Sequence, residues 1–258
     1  MLNYSVSKQR TSDDWVVLIH GLFGDADNLS MVRKALEQDM NVLSIDLPDH
    51  GGSPWEDAFS LTVAVNKLLA LLDELALDTV SLLGHSLGGK VAMLTALTAP
   101  DRISRVVAAD IAPVSYPPRH DAVFNGLNNV DLSTIESRKD ADEAMAKYIK
   151  EPGVRQFLLK SLTRDEARGW RWRFNLNGLQ THYRAITGWP DTDAVYDKPV
   201  LFVKGSESDY LTAAHRETIA GYFPQSAAKI IQGTGHWLHA EKPQAFNTIV
   251  HRFLVENK

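Results

Sequence analysis

The chain has 258 residues, a formal net charge of −5 at pH 7 and 44% hydrophobic residues. This composition is that of a globular protein with ample apolar material for a core, and it excludes a disordered chain. The acidic balance argues against a nucleic-acid-binding protein, because neutralising phosphate groups requires a basic face. The absence of cysteine excludes disulfides, thiolate metal sites and a cysteine nucleophile.

Apolar runs and the first residues bear on where the protein acts. The longest apolar run, residues 68–72, is far shorter than the roughly 18 residues of a membrane span, so none is predicted. The first residues lack a basic segment followed by an apolar one, so no signal peptide is predicted. We therefore expect a cytoplasmic protein.

Short apolar runs alternate with segments of helical periodicity along most of the chain. The first run, residues 15–19, is typical of a strand buried on both faces. Similar runs lie at residues 41–45, 79–83, 105–109, 199–203 and 228–231. Helical segments lie at residues 28–38, 61–76, 87–99, 213–222 and 243–255. This alternation predicts an α/β fold with a doubly wound, mostly parallel sheet, preceded by one short edge strand before Trp15.

The alternation is interrupted between residues 113 and 194. This stretch contains no run typical of a strand, whereas residues 140–150 and 154–162 have helical periodicity. We predict a helical cap at residues 113–194, inserted into a core formed by residues 1–112 and 195–258. Such a cap can cover the carboxyl edge of the sheet, where open α/β folds bind ligands.

A candidate nucleophile follows the third apolar run. Residues 84–88 read Gly-His-Ser-Leu-Gly and lie between a predicted strand and a predicted helix. In this context the Gly-X-Ser-X-Gly pattern is a sharp turn that exposes the serine hydroxyl above the sheet. The amides at the start of the helix favour negative charge that develops nearby. The pattern therefore predicts Ser86 as a nucleophile.

A serine nucleophile needs a general base, and His236 is the favoured one of nine histidines. It follows the last apolar run, within Gly-Thr-Gly-His-Trp, and so belongs at the same sheet edge as Ser86. His239 is the nearest rival, but Gly235 favours a loop that aims the His236 ring inward. A metal site of His236, His239 and Glu241 is disfavoured because no other ligand cluster accompanies it.

A glycine-containing loop follows the first apolar run, where residues 20–24 read His-Gly-Leu-Phe-Gly. Acyl transfer requires N–H donors for the oxyanion of its tetrahedral intermediate. We expect one donor from Leu87, the residue after Ser86, and the other from Leu22 or Phe23 in this loop.

Taken together, these motifs resemble the α/β-hydrolase superfamily and, within it, YbfF-type esterases. The resemblance covers essentially the whole chain. Its segments are residues 20–24, 27–29, 46–54, 84–90, 99–103, 110–113 and 235–243. It implies a small helical cap over a Ser-His-Asp triad that acts on small-molecule acyl esters or thioesters, without a cofactor.

The acid of the triad has two candidates. In most of the superfamily it lies three residues after the glycine that ends the penultimate core strand, a position held here by Ser208, with Asp209 one place later. In YbfF-type esterases it is the aspartate of an Asp-Ile-Ala-Pro segment, which corresponds to Asp110. A buried carboxylate at a strand end is costly unless it has a partner such as an imidazole N–H. We favour Asp110 and keep Asp209 as the alternative.

These residues predict a serine hydrolase that cleaves acyl esters, with acyl thioesters such as acyl-coenzyme A as a related substrate class. A serine at residue 86 excludes the carboxylate nucleophile of haloalkane dehalogenases and epoxide hydrolases. A carbon–carbon bond hydrolase or a perhydrolase would use the same residues, and a non-catalytic ligand-binding protein would use the same fold. These alternatives stay open.

The cap segment also carries a dense aromatic and basic run. We interpret Trp170, Trp172 and Phe174 as packing residues. Arg171 and Arg173 lie between them, and two roles stay open for these arginines. They would bind an anionic acyl carrier such as coenzyme A, or they would be solvated or paired with acidic side chains.

Overall fold

The computed structural model of the protein describes residues 1–8, 12–165, 167 and 169–256. Within these residues, seven strands form one sheet and two strands form a separate hairpin. In chain order the strands are β1 (Tyr4–Ser7), β2 (Trp15–Ile19), β3 (Asn41–Ile45), β4 (Val80–His85), β5 (Ile103–Ala109), β6 (Leu162–Asp165), β7 (Gly169–Trp172), β8 (Val200–Gly205) and β9 (Ser226–Ile231).

The main sheet is antiparallel at one edge and parallel elsewhere. Its strand order is β1-β3-β2-β4-β5-β8-β9, and only the β1–β3 pair is antiparallel within the described sheet. The short edge strand expected before Trp15 is β1. The prediction of an α/β fold with a mostly parallel sheet is therefore confirmed.

The described residues form eleven α-helices, some of which cover the two faces of this sheet. They are α1 (Ser30–Leu36), α2 (Leu61–Glu74), α3 (Leu87–Thr98), α4 (Asp121–Asn128), α5 (Arg138–Ala146), α6 (Pro152–Leu159), α7 (Leu176–Thr181), α8 (Tyr183–Thr187), α9 (Arg216–Tyr222), α10 (Leu238–Glu241) and α11 (Pro243–His251). Helices α2 and α3 share one hydrophobic cluster, while α1 and α11 share a second cluster on the other face. Among the described residues, no helix is both long and apolar enough to cross a bilayer.

Helix α3 lies directly after the candidate nucleophile. Every residue from Leu87 to Leu97 is buried, because the helix is enclosed by the central strands and α2. A helix buried on all sides carries no polar stripe. This complete burial fixes the start of α3, and with it Ser86, relative to the sheet.

Some segments differ from the expected elements. The segment at residues 28–38 begins as a 3₁₀ turn, Ala26–Leu29, before α1, and α11 gives way at His251 to a π-helical turn. The run at residues 228–231 is a strand but is not buried on both faces, since β9 is the last strand of the sheet and Ile230 is 54% exposed.

The predicted cap segment, residues 113–194, contains α4 to α8 and also the β6–β7 hairpin. Our expectation that this stretch lacks strands is therefore wrong. The hairpin is stabilised by cross-strand pairs rather than by a long alternating pattern, since each strand has four residues. Buried Leu162 faces Trp172, and the Arg164 guanidinium lies 5.7 Å from the centre of the Trp170 ring.

Hydrogen bonds join the cap segment to the core near the carboxyl edge of the sheet. The Ser161 hydroxyl donates to the Phe23 carbonyl at 2.9 Å. On α3, buried Lys90 donates from Nζ to the carbonyls of Thr187 and Gly188 at 2.6 and 2.7 Å. The cap is thereby anchored to the loop after β2 and to the helix that follows Ser86.

Candidate active site

Ser86 occupies the turn between β4 and α3 with a left-handed backbone, φ 54° and ψ −118°. Such a conformation is strained for any residue except glycine, and it persists only where the surroundings enforce it. A Cβ at Gly84 would lie 2.1 Å from the Gly88 carbonyl oxygen, and one at Gly88 would lie 2.1 Å from the Ile19 oxygen. Both glycines of the motif are thus required by close backbone contacts that force the turn.

The structure brings Ser86, His236 and Asp110 together. The Ser86 hydroxyl lies 3.0 Å from Nε2 of His236, which can accept its proton. On the other side of the ring, Nδ1–H of His236 donates to Oδ2 of Asp110 at 2.8 Å. The His236 loop is held by His85, whose Nε2–H donates to the His236 carbonyl at 2.8 Å. This geometry is a nucleophile, base and acid joined by hydrogen bonds.

Asp110 follows β5 and is fully buried. Its Oδ1 accepts from the Gly205 N–H at 3.0 Å, and its Oδ2 accepts from the Ser208 hydroxyl as well as from His236. A buried carboxylate is tolerated where several donors replace its water. Ser208, which stands at the usual acid position of the superfamily, here supports the carboxylate of Asp110.

Asp209 lies outside this hydrogen-bonded group. Its two carboxylate oxygens accept from the Arg119 guanidinium at 3.1 and 3.0 Å, and its side chain is 73% exposed. Hydrogen bonds from Arg119 hold the pKa of Asp209 below its usual range. Within the described part of the chain, no hydrogen bond joins Asp209 to His236, so the structure brings only one of the two candidate acids to the imidazole.

His239, the rival base, has no hydrogen bond to Ser86 among the described residues. Its ring is buried against His85 at a centroid distance of 4.4 Å, and burial lowers the pKa of His239 to about 3. In the described ranges, no cluster of three His, Asp or Glu side chains could hold a metal ion.

Of the three candidate N–H groups for the two oxyanion donors, two are free to act. Within the described residues, the N–H groups of Leu22 and Leu87 have no hydrogen-bond partner. Phe23 is unavailable, because its N–H donates to Nε2 of His50 at 3.1 Å. The loop at residues 20–24 runs close to the nucleophile, since a Cβ atom added to Gly21 would lie 3.3 Å from the Cβ atom of Ser86. Of the two loop N–H groups considered, that of Leu22 is therefore the candidate for the second oxyanion donor.

A cavity of about 270 Å³ opens beside Ser86 and His236. Helix α4 contributes Val123 to its wall, and α6 contributes Val154 and Phe157. Further apolar side chains come from the core and the cap, namely Leu22, Phe23, Leu29, Leu158 and Trp237. The site therefore offers an apolar ligand direct access to the nucleophile.

Several residues of the site were not predicted from the sequence. The Tyr210 ring stacks on His236 at a centroid distance of 3.9 Å, and the Arg119 guanidinium lies 4.5 Å from the Tyr210 centroid. Tyr210 directly follows the rejected acid Asp209, and no pattern in the sequence marks it. His50 lies within the resemblance segment at residues 46–54, which gave no indication of its hydrogen bond to Phe23.

The aromatic and basic run of the cap is used for packing and ion pairing. Trp172 and Phe174 are buried and stacked, with ring planes 11° apart. Arg171 lies 3.5 Å from Asp165, and Arg173 lies 3.0 Å from Asp25. Of the two roles left open for these arginines, the structure favours pairing with acidic side chains.

Comparisons with known proteins agree with this fold. The model of the alpha/beta hydrolase family matches residues 16–249. The chain is 40% identical to esterase YbfF of Escherichia coli (strain K12) over 240 residues, covering 93% of this chain and 92% of that protein. It is 37% identical to the sn-1-specific diacylglycerol lipase ABHD11 of Mus musculus over 248 residues, covering 93% and 80%.

Among solved structures, one described as a marine microorganism esterase matches with a TM-score of 0.94 and 31% identity. That match covers 98% of this chain and 99% of the other. The chain therefore belongs to the α/β hydrolase family and is similar, within it, to YbfF-type esterases.

Proposed function

We propose that the protein is a serine hydrolase of carboxylic esters, with Ser86 as nucleophile, His236 as general base and Asp110 as the acid that orients it. The observation that carries this proposal is the pair of hydrogen bonds, 3.0 and 2.8 Å long, that joins the three side chains beside an apolar cavity. The esterase and lipase names of the similar proteins support ester hydrolysis over other chemistry of the fold.

In the proposed reaction, the Ser86 oxygen attacks the carbonyl carbon while Nε2 of His236 takes its proton. The N–H groups of Leu22 and Leu87 stabilise the oxyanion, and Asp110 stabilises the imidazolium. His236 then protonates the leaving alcohol, which departs and leaves an acyl group on Ser86. Water, deprotonated by His236, attacks this acyl-enzyme. The bond between the acyl carbon and the Ser86 oxygen then breaks, His236 returns the proton to that oxygen, and the carboxylic acid is released.

The acyl part of the substrate fits the apolar cavity next to Ser86. Thioesters would react through the same steps, with a thiol as leaving group. We favour oxygen esters over thioesters as substrates, because Arg171 and Arg173 are paired with aspartates rather than available to bind an anionic acyl carrier.

Initial hydrolysis rates on p-nitrophenyl esters from acetate to palmitate test this proposal in the wild type and in Ser86→Ala. We expect turnover by the wild type and loss of both turnover and the acyl-enzyme burst in Ser86→Ala. A burst that persists in the variant would contradict the nucleophile. If the wild type hydrolyses no ester of any length, the carbon–carbon bond hydrolase and the ligand-binding alternatives take precedence.

A further inference from the structure

Two buried histidines have no role in the proposed reaction. One lies in the loop at residues 20–24, here called the oxyanion loop, and the other lies next to it. His20 follows β2 at the start of this loop, and His50 lies in the loop after β3. Their side chains are 1% and 0% exposed, and their ring centroids lie 5.1 Å apart. Burial lowers the pKa of His50 to about 3 and also lowers that of His20, so both rings stay neutral near pH 7.

The two rings bind the two loops reciprocally. Nε2 of His20 accepts from the Leu47 N–H at 3.0 Å, and Nε2 of His50 accepts from the Phe23 N–H at 3.1 Å. Because a backbone N–H can only donate, both Nε2 atoms must be unprotonated, and Nδ1 carries the proton in each neutral ring. These Nδ1–H groups donate to Gly21 and Pro48 carbonyls at 2.7 and 2.8 Å. Each ring thus accepts from the other loop and donates to its own.

These hydrogen bonds act on the orientation of the peptide that joins Gly21 to Leu22. The Gly21 carbonyl and the Leu22 N–H belong to one planar trans peptide and point in opposite directions. That carbonyl accepts from Nδ1–H of His20 and also from the Gly24 N–H at 3.1 Å, so these two donors direct the Leu22 N–H to the other side of the loop. His50 holds the next N–H, that of Phe23, whose backbone is left-handed with φ 64°. Each of the two peptides on either side of the Leu22 Cα therefore has a different histidine among its hydrogen-bond partners.

We propose that His20 and His50 are positioning residues that together orient the Leu22 N–H toward the oxyanion during ester hydrolysis. This inference rests on the proposed function. His20 turns the peptide that carries the donor, and His50 holds the neighbouring peptide in its strained conformation. Hydrogen bonding of the Gly21 carbonyl also polarises its peptide and strengthens the Leu22 N–H as a donor. In the described part of the chain, neither ring is hydrogen-bonded to Ser86 or His236.

The test compares His50→Gln, His50→Asn and His50→Phe with the wild type. A glutamine amide oxygen reaches about as far as Nε2 and can accept from Phe23. Asparagine is one methylene shorter and reaches only the position of Nδ1, and phenylalanine keeps a ring without an acceptor. The measurements are kcat and KM on p-nitrophenyl butyrate, the affinity of a trifluoromethyl ketone that forms an oxyanion on Ser86, and Tm.

We expect kcat to fall by about 10- to 100-fold in the Asn and Phe variants, with KM within about twofold, because an oxyanion donor is misdirected rather than removed. The affinity of the trifluoromethyl ketone should fall by the same factor. In His50→Gln, both kcat and this affinity should lie close to the wild-type values. His20→Phe should show the same separation of kcat from KM.

If His50→Gln and His50→Asn have equal kcat and equal inhibitor affinity, the inference is overturned. This comparison does not depend on His50→Phe, so it holds even if that variant fails to fold. A loss of kcat without a loss of inhibitor affinity would overturn it as well, since a general loss of packing does not act through the oxyanion. Failure of the proposed function is distinguishable, because the wild type would then neither hydrolyse the ester nor bind the ketone.

Discussion

Ser86 and Asp110 directly follow neighbouring parallel strands, and both have a positive φ, 54° and 53°. A left-handed backbone costs a non-glycine residue about 1–3 kcal/mol, so the sheet must compensate. It does so by continuing its hydrogen bonds through both turns, from the Ser86 N–H to the Ala109 carbonyl and from the Asp110 N–H to the Val203 carbonyl. The strain turns both side chains out of the sheet at one edge, where His236 joins them.

Asp110→Asn and Asp209→Asn separate the two candidate acids. We expect Asp110→Asn to lower kcat on p-nitrophenyl esters by about 10³- to 10⁴-fold, because an amide no longer holds the correct tautomer of His236. Asp209→Asn should leave kcat within a few-fold of the wild type, since its carboxylate contacts Arg119 rather than the imidazole. Initial rates measure both effects, and loss of activity in the Asp209 variant alone would reverse the assignment.

At this scale the sequence predicts residues that act within one local motif better than residues whose role depends on distant segments. Ser86 is recognisable because its glycines are two residues away on either side. Asp110 is favoured over Asp209 only through the resemblance of its segment, because its donors come from residues 205, 208 and 236. The occupied N–H of Phe23 likewise depends on His50, which is 27 residues away in the chain.

At the scale of the elements, the cap helices α4 and α6 complete the apolar cavity of the core. Periodicity predicts two helices in this segment, which overlap α5 and α6, but not α4. The predicted helix at residues 154–162 also extends past the end of α6 at Leu159 into β6. The β6–β7 hairpin escapes prediction because each strand is too short for an alternating pattern and its stability comes from cross-strand contacts. Which cap side chains face Ser86 depends on this packing and is not encoded in any local pattern.

Val154→Phe tests whether α6 limits the length of the acyl group. The larger side chain should fill part of the 270 Å³ cavity, because Val154 lines it from the cap. We expect kcat/KM on p-nitrophenyl octanoate to fall by at least about tenfold, since overpacking costs about 1–3 kcal/mol, while the rate on acetate stays within about twofold. Val195→Phe is the matched control, because Val195 is 54% exposed and does not line this cavity.

A chain-length profile of initial rates measures the effect. The prediction would be wrong if Val154→Phe slowed acetate and octanoate equally, which would indicate general damage to the site. It would also be wrong if the Val195→Phe control shifted the profile in the same way.

For the whole molecule, the alternation of strands and helices was enough to predict the sheet, because buried parallel strands are apolar on both faces. The exposed edge strand β9 and the order of the strands come from tertiary packing, which a local pattern does not contain. The same packing buries neutral histidines around the site. Burial lowers the pKa values of His50 and His239 to about 3 and that of His120 to about 4.

These three histidines predict that the folded protein loses stability as the pH falls from 7 to 5. Between their native pKa values and about 6.5, the unfolded chain binds more protons than the native state, so the free energy of unfolding decreases with falling pH. At pH 5 the loss is about 2 kcal/mol for each group. Urea unfolding at pH 7 and pH 5 measures it, and His239→Leu should reduce the difference by about 2 kcal/mol, which is the share of one such group. Equal unfolding free energies of the wild type at the two pH values would show that these rings are protonated without cost.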